Sequence, residues 1–164
     1  MTELTLRSMS EAEYEVFLSK LIVEYAAVNV EAGNWHEAEA MEMSKKACEQ
    51  LLPQGLQTPR VLLFSAQNAE GEYVGHLWIG LDRSGAPGSG WIYDLEVAEN
   101  KRGKGYGREL LRAAEVETLK RGVGVLGLNV FGTNKVARKL YESAGYLITQ
   151  IAMSKKLGVE EDSQ

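Results

Sequence analysis

The chain has 164 residues, of which 45% are hydrophobic and 25% charged, and its formal net charge is −5. This length and balance predict one globular domain at residues 1–157 with a flexible acidic tail at 158–164, and they exclude collagen-like, coiled-coil and disulfide-scaffold proteins. The acidic charge argues against a nucleic-acid partner.

Cysteine content and hydropathy predict a cytoplasmic protein. Cys48 is the single cysteine, so no intrachain disulfide can form, which fits a reducing compartment. The N-terminus carries Glu3 and no apolar run, so we expect no secretory signal. No stretch of about 18 apolar residues occurs, so we expect no membrane partner.

The first elements in chain order are a short strand and a helix. Leu4 and Leu6 alternate with polar residues, which indicates a strand. Ser10 and Glu13 have the spacing of a capping box, which begins a helix. Its apolar face is predicted by residues at helical spacing, namely Tyr14, Phe17, Leu18, Leu21, Ile22, Tyr25 and Val28.

A second helix and three strands are predicted next. Gly33 ends the first helix, and the second is expected from about Trp35 to Leu51. The segment Asp82–Gly90 is rich in glycine and is predicted to be a loop. Segments rich in β-branched, aromatic and aliphatic residues predict three strands, at Arg60–Ala66, Tyr73–Leu81 and Trp91–Val97.

The C-terminal half alternates helices and strands. We expect a helix over about Gly105–Arg121, a strand at Val123–Val130, a short helix at Asn134–Ala144 ended by Gly145, and a last strand at Tyr146–Met153. The predicted fold class is α/β in the α+β mixed sense. It is one mixed, mostly antiparallel sheet with helices on both faces and a right-handed parallel crossover through the long helix.

A glycine-rich turn precedes that long helix and carries a local excess of positive charge. Residues 101–112 hold five basic side chains against Glu109 alone. The first turn of a helix leaves N–H groups unpaired, and glycines allow an anion to approach them. The pattern therefore indicates a phosphate or pyrophosphate site, although a solvated helix face explains the charge equally well.

Three phosphate-binding patterns compete for this turn. No P-loop string occurs. Gly103 and Gly105 begin a dinucleotide fingerprint, but position 108 is arginine, where that fingerprint needs glycine. The third pattern, glutamine or arginine followed at fixed spacing by glycine and then by glycine or alanine, is matched by Arg102, Gly105 and Gly107.

The third pattern and its surroundings resemble the GNAT superfamily of N-acetyltransferases. Residues 60–153 carry the resemblance. The strand Tyr93–Val97 precedes the turn as in that family, and the cluster from Asn134 through Leu140-Tyr141 to Gly145-Tyr146 is similar to its C-terminal half. The resemblance implies a GNAT-like acyl-CoA N-acyltransferase fold with acetyl-CoA as co-substrate.

The resemblance also implies how acetyl-CoA is held. The flanking strands would part, the backbone of Leu95 and Val97 would pair with the pantetheine amides, and the Val97 N–H would meet the oxyanion. Lys101 could add attraction for the phosphates. The remaining residues implied are those of the turn, Arg102, Gly103, Lys104, Gly105, Tyr106, Gly107 and Arg108, and those of the short helix, Asn134, Ala137 and Tyr141.

Catalytic roles follow from the same resemblance. Tyr141 matches the family's general acid, although it could simply pack on its helix. Asp94 is expected as general base or amine anchor, with Glu96 as the second choice, because both share one strand face. A solvated or ion-paired strand position would explain these two carboxylates equally well.

The acceptor side is predicted around Trp35, His76, Trp78 and Asp94. The region at Gly33–Glu37 corresponds to the family's acceptor lid, and nearby acids could favour a cationic amine, namely Glu31, Glu37, Glu39 and Glu42. Two histidines and one cysteine indicate no metal site, and Cys48 is not expected to act as a nucleophile.

The expected function is transfer of an acetyl group from acetyl-CoA to a primary amine of a small molecule. One alternative is acetylation of a protein N-terminus or lysine. Another is a CoA-binding regulatory domain without acceptor chemistry. A homodimer is possible on the family's pattern.

Overall fold

The computed structural model describes residues 3–82 and 87–158. The strands are β1 (Leu4–Ser8), β2 (Val61–Asn68), β3 (Tyr73–Gly80), β4 (Ser89–Val97) and β5 (Val125–Leu128). The helices are α1 (Glu11–Glu31), α2 (Glu37–Leu51), α3 (Tyr106–Lys120) and α4 (Lys135–Ser143). None of the helices in the described ranges is long and apolar enough to cross a membrane.

The strands form one open sheet in the order β1-β2-β3-β4-β5. Neighbours pair antiparallel except β4 and β5, which pair parallel. A parallel pair needs a crossover, and α3 supplies it. The predicted mixed, mostly antiparallel sheet is therefore confirmed.

Helices cover both faces of the sheet and bury a core on each. On one face Leu77 and Ile79 of β3 pack with Leu110 and Leu111 of α3. On the other, Phe17 of α1 packs with further buried apolar side chains, namely Met9, Leu52, Leu63 and Trp78. Because the two faces of β3 are both covered, its side chains are buried throughout except at Tyr73.

The predicted capping box begins α1. The Ser10 hydroxyl accepts a hydrogen bond from the Glu13 N–H at 3.2 Å, and the Glu13 carboxylate accepts one from the Ser10 N–H at 2.8 Å. Arg7 of β1 adds two hydrogen bonds to the same carboxylate, at 2.6 and 2.7 Å. The guanidinium lowers the pKa of Glu13 from 4.5 to about 2.

We expect Glu13→Gln to lower the free energy of unfolding by about 1 kcal/mol at neutral pH, since the pair is partly exposed and screened. A depressed pKa stabilises above the unfolded-state value, and that stability is lost as pH falls from 4.5 toward about 2. Urea unfolding across this window should show the two proteins converging toward acid. Glu15→Gln, an exposed change on the same helix, should show no such convergence.

The last predicted strand, Tyr146–Met153, is wrong: residues 146–157 carry no regular secondary structure. Tyr146 packs against the core, but the following apolar side chains are exposed, namely Leu147, Ile148, Ile151 and Met153. A strand is stabilised by burying one alternating face, and this segment buries none. The fifth strand is also shorter than predicted, since it ends at Leu128.

The predicted boundaries elsewhere hold to within a few residues. Gly145 follows α4 with φ +93°, as expected for a helix end. The predicted loop Asp82–Gly90 ends earlier, because β4 begins at Ser89, and residues 83–86 lie outside the described part. Of the predicted acidic tail, residues 159–164 lie outside it as well.

Candidate active site

The strands β4 and β5 part midway along β4. Their parallel pairing runs from Ser89 opposite Val125 to Ile92 opposite Leu128 and stops there. β4 continues to Val97, paired with β3 alone in the described sheet. The stretch of β4 that contains Leu95 and Val97 is therefore open on its β5 side.

A β-bulge lies at the point of separation. Trp78 pairs with Asp94 whereas Ile79 pairs with Ile92, so Tyr93 is the extra residue of β4. The Tyr93 ring stacks on Trp78 with ring centroids 4.7 Å apart. A bulge changes which face the following side chains occupy. Beyond it, Asp94 shares the α1-facing side of the sheet with Trp78.

The turn after β4 has the backbone geometry of an anion site. Gly103 and Gly105 have φ of +73° and +87°, a region that side-chain-bearing residues rarely adopt. Gly105 is the N-cap of α3 and makes no side-chain cap hydrogen bond. The first-turn N–H groups of Tyr106, Gly107 and Arg108 are the unpaired donors of a helix N-terminus, where partial positive charge collects.

The basic side chains around this turn mostly hold the fold together. Lys101 forms an ion pair with Glu72. Arg102 donates from Nε to the Val97 carbonyl at 3.1 Å. Arg108 donates to the Ser143 hydroxyl at 2.9 Å, which joins α3 to α4. Lys104 contacts the Asn100 carbonyl at 3.4 Å. The turn therefore offers an anion mainly backbone N–H groups.

A small cavity of about 180 Å³ lies between the parted strands and α4. Asp94 and Tyr141 both line it, and so do three other residues named from the sequence, Leu95, Asn134 and Ala137. Burial, and secondarily the charge of Asp94, raises the pKa of the Tyr141 phenol above its ordinary value. Tyr141 is thus held protonated, as a donor, at one wall of the cavity.

Asn134 has a structural task as well. It is the N-cap of α4, and its Oδ1 accepts a hydrogen bond from the Ala137 N–H at 3.2 Å. An N-cap bond fixes where a helix begins. Asn134 therefore sets the position of α4, and with it the position of Tyr141, beside the cavity.

Two hydrogen bonds link Asp94 to His76 and His76 to Tyr73 along one face of the sheet. Nε2 of His76 lies 2.7 Å from Oδ2 of Asp94, and Nδ1 lies 3.0 Å from the Tyr73 hydroxyl. A carboxylate only accepts, so in the neutral ring Nε2 donates and Nδ1 accepts the phenol proton. Burial raises the pKa of Tyr73, which keeps that donor protonated. His76 lines neither cavity, and it is linked to the small cavity by its hydrogen bond to Asp94.

Glu96 is committed elsewhere. It forms an ion pair with Lys20 of α1 and lines neither cavity. One ring nitrogen of His76 and one carboxylate oxygen each of Asp94 and Glu96 lie within 4.8 Å of one another, the only such grouping of potential metal ligands in residues 3–82 and 87–158. Because His76 hydrogen-bonds Asp94 and Glu96 is paired with Lys20, we assign no metal to this group.

A larger cavity of about 640 Å³ adjoins the small one beneath α1 and α2. Trp78 lines it, whereas Trp35 does not and instead packs edge-on against Tyr25, which does. Cys48 also lines it, and burial raises the pKa of this thiol, which suits a packing role. Of the four acceptor-side residues named from the sequence, Trp78 and Asp94 line the cavities. Trp35 and His76 line neither cavity.

Sequence reasoning missed Tyr73, Lys20 and Tyr93. The partner of Lys20 is 76 positions away in the sequence. Tyr73 and Tyr93 acquire their places from bulges. An aromatic residue at the start of a strand carries no signal for a partner three positions later, because side chains on a regular strand alternate. Only the composition of Tyr73–Gly80, with one histidine among apolar residues, marks the strand as unusual.

Comparison with known proteins identifies relatives along almost the whole chain. A family model described as the acetyltransferase (GNAT) family matches residues 26–146. The uncharacterized N-acetyltransferase YycN of Bacillus subtilis is 38% identical over 152 residues, which cover 93% of this chain and 97% of YycN. The uncharacterized N-acetyltransferase YdgE of the same organism is 33% identical over 153 residues, 93% of this chain and 98% of YdgE.

Solved structures agree with the sequence relatives. The crystal structure of YycN has a TM-score of 0.90 at 37% identity, covering 96% of this chain and 100% of that one. The structure of an acetyl transferase from Pyrococcus furiosus has a TM-score of 0.66 at 30% identity, covering 94% and 100%. The family match spans most of the chain, and the parted strands and glycine turn agree with it. The chain therefore belongs to the GNAT family of acetyltransferases.

Proposed function

We propose that the protein transfers an acetyl group from acetyl-CoA to the primary amine of a small molecule, by direct attack in a ternary complex. One observation carries the proposal: Asp94 and Tyr141 line the same small cavity between the parted strands. A group that takes a proton and a group that gives one are what amine attack on a thioester requires.

The glycine turn supports acetyl-CoA as the donor. The unpaired N–H groups at the start of α3 suit a pyrophosphate, and the open side of Leu95 and Val97 suits the amides of a pantetheine arm. When bound, acetyl-CoA supplies an activated acetyl group. The backbone holds it in position, and this converts a bimolecular reaction into one between prepositioned partners.

Two side chains would carry out the proton transfers, one as acceptor and one as donor. Asp94 would accept a proton from the ammonium form of the acceptor or hold that cation, with its carboxylate oriented by His76. As the nitrogen–carbon bond forms and the carbon–sulfur bond breaks, the Val97 N–H would stabilise the developing oxyanion. Tyr141 would give its proton to the departing sulfur. Glu96, paired with Lys20, is the weaker choice for base.

We expect Gly105→Ala to weaken acetyl-CoA binding by about tenfold or more, because a left-handed alanine costs about 1–2 kcal/mol and adds a Cβ beside the anion site. Calorimetric titration with acetyl-CoA measures the effect. Gly122→Ala is the matched control, since Gly122 has φ +77° just beyond the opposite end of α3 and its Cβ would meet nothing within 4 Å. An equal loss of affinity in both variants would show that the effect is general destabilisation.

The function itself is tested by release of free thiol from acetyl-CoA in the presence of different acceptors. Release with small amines supports the proposal. Release with peptides alone favours protein acetylation. Tight CoA binding without release in any mixture favours a regulatory domain. Mass spectrometry of the acetylated product confirms whichever acceptor is used.

A further inference from the structure

Every lining residue of the larger cavity that the structure describes has an uncharged side chain. Its described lining includes five aromatic residues, Tyr25, Trp78, Trp91, Tyr93 and Phe131. It also includes five amide or hydroxyl side chains, Asn29, Asn34, Asn129, Thr149 and Gln150. The other lining residues that the structure describes are aliphatic residues and Cys48. This neutrality is notable in a protein whose net charge is −5.

Negative charge reaches the cavities at one point. The larger and smaller cavities share several lining residues, among them Tyr93, Asn129 and Phe131, so they lie side by side. Asp94 is the only carboxylate in the described lining of either. The acids that the sequence suggested for binding a cation are exposed and line neither cavity, namely Glu31, Glu37, Glu39 and Glu42.

We infer that the acceptor is a monoamine: one ammonium group that meets Asp94, attached to an uncharged body with an apolar face and hydrogen-bonding groups. The inference rests on the proposed acetyl transfer and narrows its substrate. The aromatic walls suit a flat or apolar face, and the amides and hydroxyls suit polar groups on the same body. A volume of about 640 Å³ accommodates a small molecule of this kind.

A second positive charge would be poorly compensated. Removing an ammonium from water carries a large desolvation penalty in a protein interior, and no carboxylate in the described lining of the larger cavity would offset it. A cation over the rings of Trp78 or Trp91 would recover only a small part of that penalty. Desolvation therefore outweighs the attraction of the rings. Polyamines and other polycations are disfavoured as acceptors.

The test compares two acceptors that differ at one end. Aminohexanol and hexamethylenediamine have the same chain, but one ends in a hydroxyl and the other in a second ammonium. We expect kcat/KM for acetyl transfer to be about tenfold or more higher for aminohexanol, and its affinity for the protein–CoA complex to be higher by calorimetry. Equal or tighter binding of the diamine, or preferential acetylation of spermidine, overturns the inference.

A pair of variants makes the test independent of the compounds chosen. Gln150→Glu places a carboxylate in the lining of the larger cavity and should shift the ratio of the two affinities about tenfold toward the diamine. Gln57→Glu makes the same change at an exposed position outside both cavities and should leave the ratio unaltered. Asn129→Asp serves as a second cavity variant if Gln150→Glu fails to fold. An unchanged ratio in the cavity variant overturns the inference.

Failure of the proposed function has a different signature. A protein that binds no acetyl-CoA in calorimetry, or that binds it but acetylates only peptides, contradicts the proposed function. A protein that acetylates small amines but prefers polycations contradicts only the inference about the acceptor.

Discussion

Tyr141→Phe is expected to lower kcat by about 100-fold while leaving acetyl-CoA affinity nearly unchanged. The variant keeps the ring that packs near Tyr146 and lines the small cavity, and it removes only the hydroxyl that would protonate the leaving sulfur. The effect falls at the low end for a general acid because a thiolate is itself a fair leaving group. Steady-state kinetics with a saturating amine and calorimetry with acetyl-CoA measure the two quantities.

The raised pKa of Tyr141 also predicts how the ratio of wild-type to variant rates depends on pH. Burial and the charge of Asp94 raise the pKa of Tyr141. A raised pKa extends the protonated, active form toward higher pH, so activity due to this phenol is lost only above its ordinary value of about 10. The ratio of wild-type to variant rates should therefore stay constant between roughly pH 6 and pH 9.

The neighbouring tyrosine supplies the matched control. Tyr146 has its ring 6.0 Å from that of Tyr141 and lines neither cavity. Tyr146→Phe should therefore keep kcat near the wild-type value. If Tyr141→Phe also turns over normally, Tyr141 is a packing residue on α4 and another group or water protonates the sulfur.

Local patterns in the sequence predicted the elements that build the site. The capping box at Ser10 and Glu13 fixed the start of α1, because its hydrogen bonds lie within one helical turn. The glycine-rich turn before α3 and the start of α4 near Asn134 were likewise predicted from adjacent residues. Features that depend on a few adjacent residues can be derived without knowledge of the fold.

Two β-bulges place side chains on faces of the sheet that strand periodicity could not predict. Ala66 pairs with Gly75 and Gln67 with Tyr73, so Val74 is an extra residue of β3, and its side chain lies in the α3-side core. The shift brings Tyr73 onto the face of His76. The bulge at Tyr93 similarly changes the face that β4 presents. A bulge depends on pairing across strands, which alternation within one strand does not encode.

Long-range pairing was hidden for a related reason. Lys20 and Glu96 are 76 positions apart, and the sequence gives no sign that they meet. Their ion pair makes Glu96 a weaker candidate than Asp94 for the proposed base. The sequence did not predict the uncharged lining of the larger cavity either, because the glutamates of α1 and α2 suggested a pocket for a cationic amine but lie on the exposed sides of those helices.

The substitution Asp94→Asn is expected to have the second large effect on activity. It distinguishes a role of Asp94 as base from a role as anchor of the ammonium group. The amide is almost isosteric, and its oxygen can still accept from Nε2 of His76, so the fold should hold. If Asp94 is the base, kcat falls by about 100- to 1000-fold and the acidic limb of the pH–rate profile changes. If Asp94 only anchors the ammonium, KM for the amine rises and kcat is largely kept. We expect the first result.

Several other titratable or charged groups lie around Asp94 and bear on the pH–rate profile. These are His76 and Tyr73 on β3, Glu96 on β4, Lys20 on α1 and Tyr141 on α4. Asp82→Asn is the matched control, since Asp82 pairs with Arg60 outside both cavities and the same change there should leave the profile intact. An unshifted acidic limb with a normal rate in Asp94→Asn would remove Asp94 from the mechanism. Such a result would leave Glu96, which is paired with Lys20, or a water molecule as the candidate base.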